Sequence, residues 1–318
     1  MGGMVRSVLV AWVMALTGLA AAGCGDRPEF WDEPMVFGEP VALSSGGAFL
    51  SAERNELLVV RAQAGHDLAV ARYDVARAAQ IIDVLADDRI VLWSREAKTL
   101  DLVDPDGRTA RSWDLGAPFS GFRVSPEGRY LVAWITGTGG DDALFVNAGQ
   151  LAVVDLTEEP GLGNPRLLSL KSYGDAPVGV HIAPVVEAGG GDRQPALVAW
   201  RSYVSILDLR DPEVADVSVP LRPGDETMDI WPGPMKFADA GEGLVRAWFL
   251  STSSADLYEI TIAADQLPSQ GSAAVAINLF PTAPGPMDFA LYRLQSGDLR
   301  VATICSSARL VITDPESS

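Results

Sequence analysis

Two histidines and two cysteines are all that this 318-residue chain brings to imidazole and thiol chemistry: His66, His181, Cys24 and Cys305. His66 lies between Gly65 and Asp67, the setting of a solvated turn. His181 sits in the run Val178-Gly179-Val180-His181-Ile182, which reads as a strand. There it could line a central channel or be a satisfied structural residue. No HExxH run and no nucleophile elbow with ordered His and Asp partners is present. Asp104-Pro105-Asp106-Gly107 and Gly139-Gly140-Asp141-Asp142 lack the alternating ligands of a calcium loop, and Gly189-Gly190-Gly191 lacks the Lys-Ser/Thr of a phosphate loop. No metal and no cofactor is therefore expected. The better binding candidates pair an acid with an aromatic: Met228-Asp229-Ile230-Trp231 and Met287-Asp288-Phe289, with Phe119 in Ala117-Pro118-Phe119. An aromatic face beside a carboxylate suits a cationic or sugar-like ligand, or a protein hot spot. The competing reading is that the aromatics pack between sheets while the acids cap turns. Phe119, His181, Asp229, Trp231 and Asp288 form the candidate binding set.

Charge narrows the partner class. The net charge is −18, from 24 basic and 42 acidic residues. Such a surface repels phosphate backbones, so nucleic acid is not an expected partner. The N-terminus has the parts of an export signal: Arg6, the apolar run Val8 to Leu19, then Ala20-Ala21-Ala22-Gly23-Cys24. That ending resembles the lipobox of bacterial lipoproteins, in which cleavage precedes a cysteine that is then lipidated. The resemblance implies a signal peptide over 1–23, lipid on Cys24, and anchoring to the cell envelope, with 24–36 as a polar tether. With Cys24 lipidated, Cys305 would have no disulfide partner. It stands in the apolar run Val301-Ala302-Thr303-Ile304-Cys305 and reads as a small buried hydrophobe.

The remainder, 37–318, must position the candidates, and it repeats. Apolar strands ending in an acid close at Asp74, Asp104, Asp155, Asp208, Glu259 and Asp314, at intervals of 51 to 55 residues after a first, shorter one of 30. Each follows a turn and an apolar run, several of which end on tryptophan, as in Ile90-Val91-Leu92-Trp93, Tyr130 to Trp134, Ala196 to Trp200 and Leu244 to Trp248. More alternating segments follow the acid, such as Ser112-Trp113-Asp114-Leu115 and Val217-Ser218-Val219-Pro220. A strand that is apolar throughout has no solvent face, as happens when a sheet packs against a neighbour on both sides. Sheets wedged around an axis meet that condition, so the expected fold is all-β: a β-propeller of six four-stranded blades, with seven as the alternative. The last repeat ends without a fourth strand, and Glu39-Pro40-Val41-Ala42-Leu43 precedes the first repeat. This early strand is expected to complete the last blade and close the ring.

Ser125-Pro126-Glu127-Gly128-Arg129-Tyr130-Leu131 resembles the Ser-Pro-Asp-Gly-Arg-Tyr-Leu hairpin of bacterial TolB- and YVTN-type propellers, with Glu127 in place of Asp. The resemblance implies the fold and no particular activity. The expectation for function is a non-enzymatic, lipid-anchored envelope module that binds a protein or another envelope component. The alternative is a lactonase- or hydrolase-like propeller enzyme using central carboxylates, which would need several acids converging near the axis.

Overall fold

The structure is a computed structural model that describes residues 36–62, 68–105, 108–136, 147–161, 163–171, 176–211, 215–222, 229–239, 241 and 243–315. Cys24 and His66 lie outside the described residues. One compact unit runs from Gly38 to Ser318. Within it, six antiparallel sheets follow one another along the chain, over residues 41–74, 79–114, 121–169, 179–220, 236–281 and 286–313. They are called sheets 1 to 6 below. Each is a meander in which consecutive strands pair, the first five with four strands and the sixth with three among the described residues. This is a β-propeller-like, all-β arrangement.

The apolar runs explain the stacking. In sheet 3 the strand Tyr130–Trp134 is buried along its whole length. Its alternate residues serve two different cores. Leu131 and Ala133 join Trp93, Trp113 and Phe119 on the side of sheet 2, while Tyr130, Val132 and Trp134 join Val180, Val198 and Trp200 on the side of sheet 4. The same division recurs at the seams between sheets 1 and 2, 4 and 5, and 5 and 6. One close approach fixes the geometry locally. A Cβ on Gly121 would lie 2.2 Å from the Trp134 indole, so glycine is what lets that ring lie flat across the neighbouring strand.

Four of the six recurring acids turn out to be clamps within a sheet. The Asp155 carboxylate accepts from Arg129 at 2.8 Å, Asp208 from Arg193 at 3.1 Å, and Asp314 pairs with Arg300 at 2.8 Å. Glu259 pairs with Arg246 and is 2% exposed. Burial pushes the Asp155 carboxyl up, but hydrogen bonds from Arg129 and Thr157 outweigh it and hold the group below the ordinary carboxylate range.

Two expectations are corrected here. Val41–Leu43 does not complete the last blade: it pairs with Gly46–Ser51 as the first strand of sheet 1. The ring closure assigned to it is therefore not formed by that strand. The reason lies in Gly46–Ser51, a strand that the repeat count leaves out. A Cβ at Gly46 would come within 1.9 Å of the Val60 carbonyl oxygen, so the pairing requires glycine there. Recognising that strand moves Leu68–Asp74 from third to fourth place in its sheet, which accounts for the short first interval between the acids.

Candidate functional site

The residues entering sheets 5 and 6 carry the two acid–aromatic motifs, and the structure gives both the same arrangement. Asp288 accepts a hydrogen bond from the Lys236 ammonium at 2.8 Å through Oδ1, which also accepts from the Phe289 N–H at 2.7 Å. The same ammonium donates to the Phe289 carbonyl and lies 4.6 Å from the Phe289 ring centroid. One seam earlier, the Arg201 guanidinium lies 4.4 Å from the Trp231 ring centroid and 3.5 Å from the Asp229 carboxylate. In both cases the cation comes from the preceding sheet or its entry. Arg201 stands in the turn between Pro195–Trp200 and Tyr203–Asp208, and Lys236 begins the first strand of sheet 5. The cation suited to an aromatic beside an acid is thus supplied by the chain itself. Each triad ties one sheet to the next.

Between sheets 5 and 6, Lys236, Asp288 and Phe289 border a groove of about 500 Å³. One wall is the run Ser251-Thr252-Ser253-Ser254; the other is Met287-Asp288-Phe289. The wall of hydroxyls is organised by its own loop. Ser251 Oγ accepts from the N–H groups of Ser253 and Ser254, both at 3.2 Å. Ser253 Oγ donates to the Asp229 carbonyl at 2.7 Å and accepts from the Trp231 N–H at 3.2 Å. The Thr252 N–H donates to the Trp231 carbonyl at 2.9 Å. Asp229 and Trp231 therefore brace one wall of the groove through main-chain hydrogen bonds, while Asp288 lines it. The Lys236–Asp288 pair faces solvent, with side chains 40% and 71% exposed, and Met287 is 71% exposed. Lys236 and the Phe289 N–H hold the Asp288 carboxyl below its ordinary range.

His181 and Phe119 lie elsewhere. His181 belongs to Gly179–Ile182, the first strand of sheet 4, where the first strands of sheets 3 and 4 come together. Arg123 of sheet 3 donates to the Val180 carbonyl at 3.4 Å, and His181 Nδ1 accepts from the Met235 N–H at 3.5 Å. Burial, reinforced by the Arg123 charge, pushes the imidazole down to about 4, so it is neutral at pH 7 and accepts rather than donates at Nδ1. Phe119 is fully buried in the core between sheets 2 and 3. It is corrected from a binding candidate to a packing residue, because its ring fills that seam. Sequence reasoning missed Lys236 and Arg201. Each is a lone cation in an acidic chain, and no local pattern says which ring it will cover. Cys305 is 2% exposed, on the side of sheet 6 that faces sheet 5.

Among the described residues, no cluster of three His, Cys, Asp or Glu side chains could hold a metal, and no helix is long and apolar enough to cross a membrane.

No protein-family model matches this sequence, and no curated protein matches it. Solved structures give loose matches. Dihydro-heme d1 dehydrogenase NirN is 14% identical with a TM-score of 0.49, over 86% of this chain and 53% of that one, so the chain spans about half its length. AztD from Citrobacter koseri is 10% identical with a TM-score of 0.43, over 89% and 70%. A protein from Lactobacillus plantarum is 12% identical with a TM-score of 0.42, over 89% and 86%. Likeness at these scores transfers neither ligand nor activity.

Proposed function

We propose that this chain is a lipid-anchored module of the bacterial cell envelope. In this reading its six sheets act as blades and it binds another envelope component, a protein, in the groove between sheets 5 and 6. The observation that carries this reading is the contrast between two kinds of acid. Asp155, Asp208 and Glu259 are buried in clamps within a sheet, while Asp288 presents an accessible charged pair beside the exposed Met287. An apolar anchor with a polar, two-signed rim is the anatomy of a small protein-binding site. The hydrolase reading draws no support from the same residues, since Asp229 and Asp288 each already hold a cation of the chain. Anchoring rests on the run Ala20-Ala21-Ala22-Gly23-Cys24.

Two measurements test this. Replacing Met287 with a photo-crosslinking residue in cells should capture one defined envelope protein, and the double change Lys236→Ala with Asp288→Ala should abolish that capture. A diffuse pattern, or capture that ignores the double change, refutes the groove as the binding site. Cys24→Ser should release the chain from the membrane fraction and stop incorporation of labelled fatty acid. Unchanged fractionation and labelling would remove the anchor from the reading.

A further inference from the structure

The first strands of sheets 2 and 6 carry the same irregularity. In sheet 6, Pro286 stands opposite Cys305 and Asp288 opposite Ile304, so Met287 is the extra residue of a β-bulge in Pro286–Arg293. In sheet 2, Ile81 stands opposite Leu92 and Asp83 opposite Val91, so Ile82 is the extra residue in Ala79–Val84. An aspartate follows each bulged residue, and its Oδ1 accepts from the next N–H: Val84 at 2.8 Å in one case, Phe289 at 2.7 Å in the other. The fate of the bulged side chain is what differs. Ile82 packs against the core between sheets 2 and 3. Met287 is turned out onto the wall of the groove and is 71% exposed. The other methionine among the described residues, Met235, stands between the groove residues Pro234 and Lys236, yet it is 8% exposed and belongs to the core between sheets 4 and 5. Of two thioethers at this groove, one meets small solutes and the other does not.

We propose that Met287 is a site of reversible oxidation, and that its sulfoxide blocks docking in the groove. The second half rests on the reading of the groove as a protein-binding site. The oxidant is a hydroperoxide. The sulfur lone pair takes one peroxide oxygen as the O–O bond breaks, and the proton of the transferred hydroxyl passes to the departing hydroxide, which leaves as water. Sulfur gives up two electrons and the peroxide gains them. The product is a sulfoxide, which a methionine sulfoxide reductase returns to the thioether with two electrons from thiols. The change replaces an apolar side chain by a strongly polar one at the residue that serves as the anchor. A partner that covers Met287 would then lose the apolar burial and enclose an S=O acceptor, which weakens docking by about tenfold or more. A docked partner in turn shields the thioether, so docking and oxidation exclude each other.

Two readouts test this on the full chain. The purified protein is treated with hydrogen peroxide, digested and weighed. The Met287 peptide should gain about 16 Da, one oxygen, at least about tenfold faster than the Met235 peptide, and denaturant should remove the difference. In cells, a photo-crosslinking residue at position 252, on the serine wall, reads docking. Capture by the parent should fall about tenfold after peroxide. Met287→Leu, apolar but without sulfur, should keep capture with and without peroxide. Met287→Gln, polar and of similar length, should lose it without any peroxide. Both variants change an exposed side chain and should keep the thermal unfolding midpoint of the parent. Equal oxidation rates at Met235 and Met287 overturn the modification site. Capture by Met287→Gln at the parental level, or a loss in Met287→Leu equal to the parent's after peroxide, overturns the switch alone. No capture by the untreated parent sinks the docking reading and the switch with it.

Discussion

Truncating Asp208 and Asp288 with the same change, Asp→Ala, should give very different costs, because one acid belongs to the scaffold and the other to the groove. Asp208 is 4% exposed and accepts three hydrogen bonds: from the Arg193 guanidinium at 3.1 Å, the Gln194 N–H at 3.1 Å and the Arg210 N–H at 3.0 Å. Its loss leaves two main-chain donors without their acceptor, each costing about 1–3 kcal/mol, and breaks a buried ion pair, for which about 3–5 kcal/mol is typical. Arg193 keeps Asp211 at 2.5 Å and is not left as an uncompensated buried charge, so most of the ion-pair cost falls away and the two donors set a total of about 3–4 kcal/mol. Asp288 is 71% exposed and its partner Lys236 is 40% exposed, so screening limits that pair to at most about 1 kcal/mol. Urea unfolding followed by tryptophan fluorescence reads both variants against the parent. The fitted slope should stay constant, so that the midpoint shift reports stability alone. Asp208→Ala should be less stable than Asp288→Ala by about 2–3 kcal/mol. Equal losses, or a cost at Asp208 under about 1 kcal/mol, would refute the division into scaffold acids and groove acids.

Other expectations follow from the same geometry. The His181 imidazole titrates near 4 in the fold, against 6.5 for a free side chain. The unfolded chain therefore takes up a proton on falling through pH 6.5 that the native state refuses until about 4, and stability drops by roughly 3 kcal/mol over that window. His181→Gln should flatten this segment of the pH–stability curve, and an unchanged slope would show the imidazole to be solvated. Gly121→Ala puts a methyl 2.2 Å from the Trp134 indole and should cost about 1–3 kcal/mol in thermal or urea unfolding, with a shifted tryptophan emission; a neutral effect would mean the seam is loosely packed. The Cys305 thiol, 2% exposed, should react with a thiol reagent only after denaturant is added, and rapid labelling of the native chain would contradict its burial.

Much of the architecture was legible because it is a matter of local pattern. Short apolar runs without alternation, bounded by turn residues, fit strands covered on both faces, and in sheets 3 to 6 the acid recurs because an arginine clamp recurs, as at Arg129–Asp155 and Arg193–Asp208. The site was legible by half. Asp288 lines the groove and Asp229 and Trp231 bond to its serine wall, but the cations that occupy their triads come from sequence positions 28 and 52 residues away from the acids. Phe119 looked like a site residue because its neighbours Ala117 and Pro118 mark a loop; its burial depends on sheets 2 and 3 meeting, which is no local property.

What the sequence determined by itself is the repeat: strand, turn, strand, acid, because hydrophobic periodicity and turn chemistry act over a few residues. What only the tertiary structure decided is which strand begins the count and which face is left over. Gly46 pairs with Arg61 because its backbone can approach Val60, a contact between strands far apart in the chain's pattern of apolar runs. Ile304 and Val301 are equally apolar in the sequence, and one is 54% exposed while the other is buried. That difference is set by the presence of a neighbouring sheet on one side and none among the described residues on the other, and stacking is a relation between distant segments.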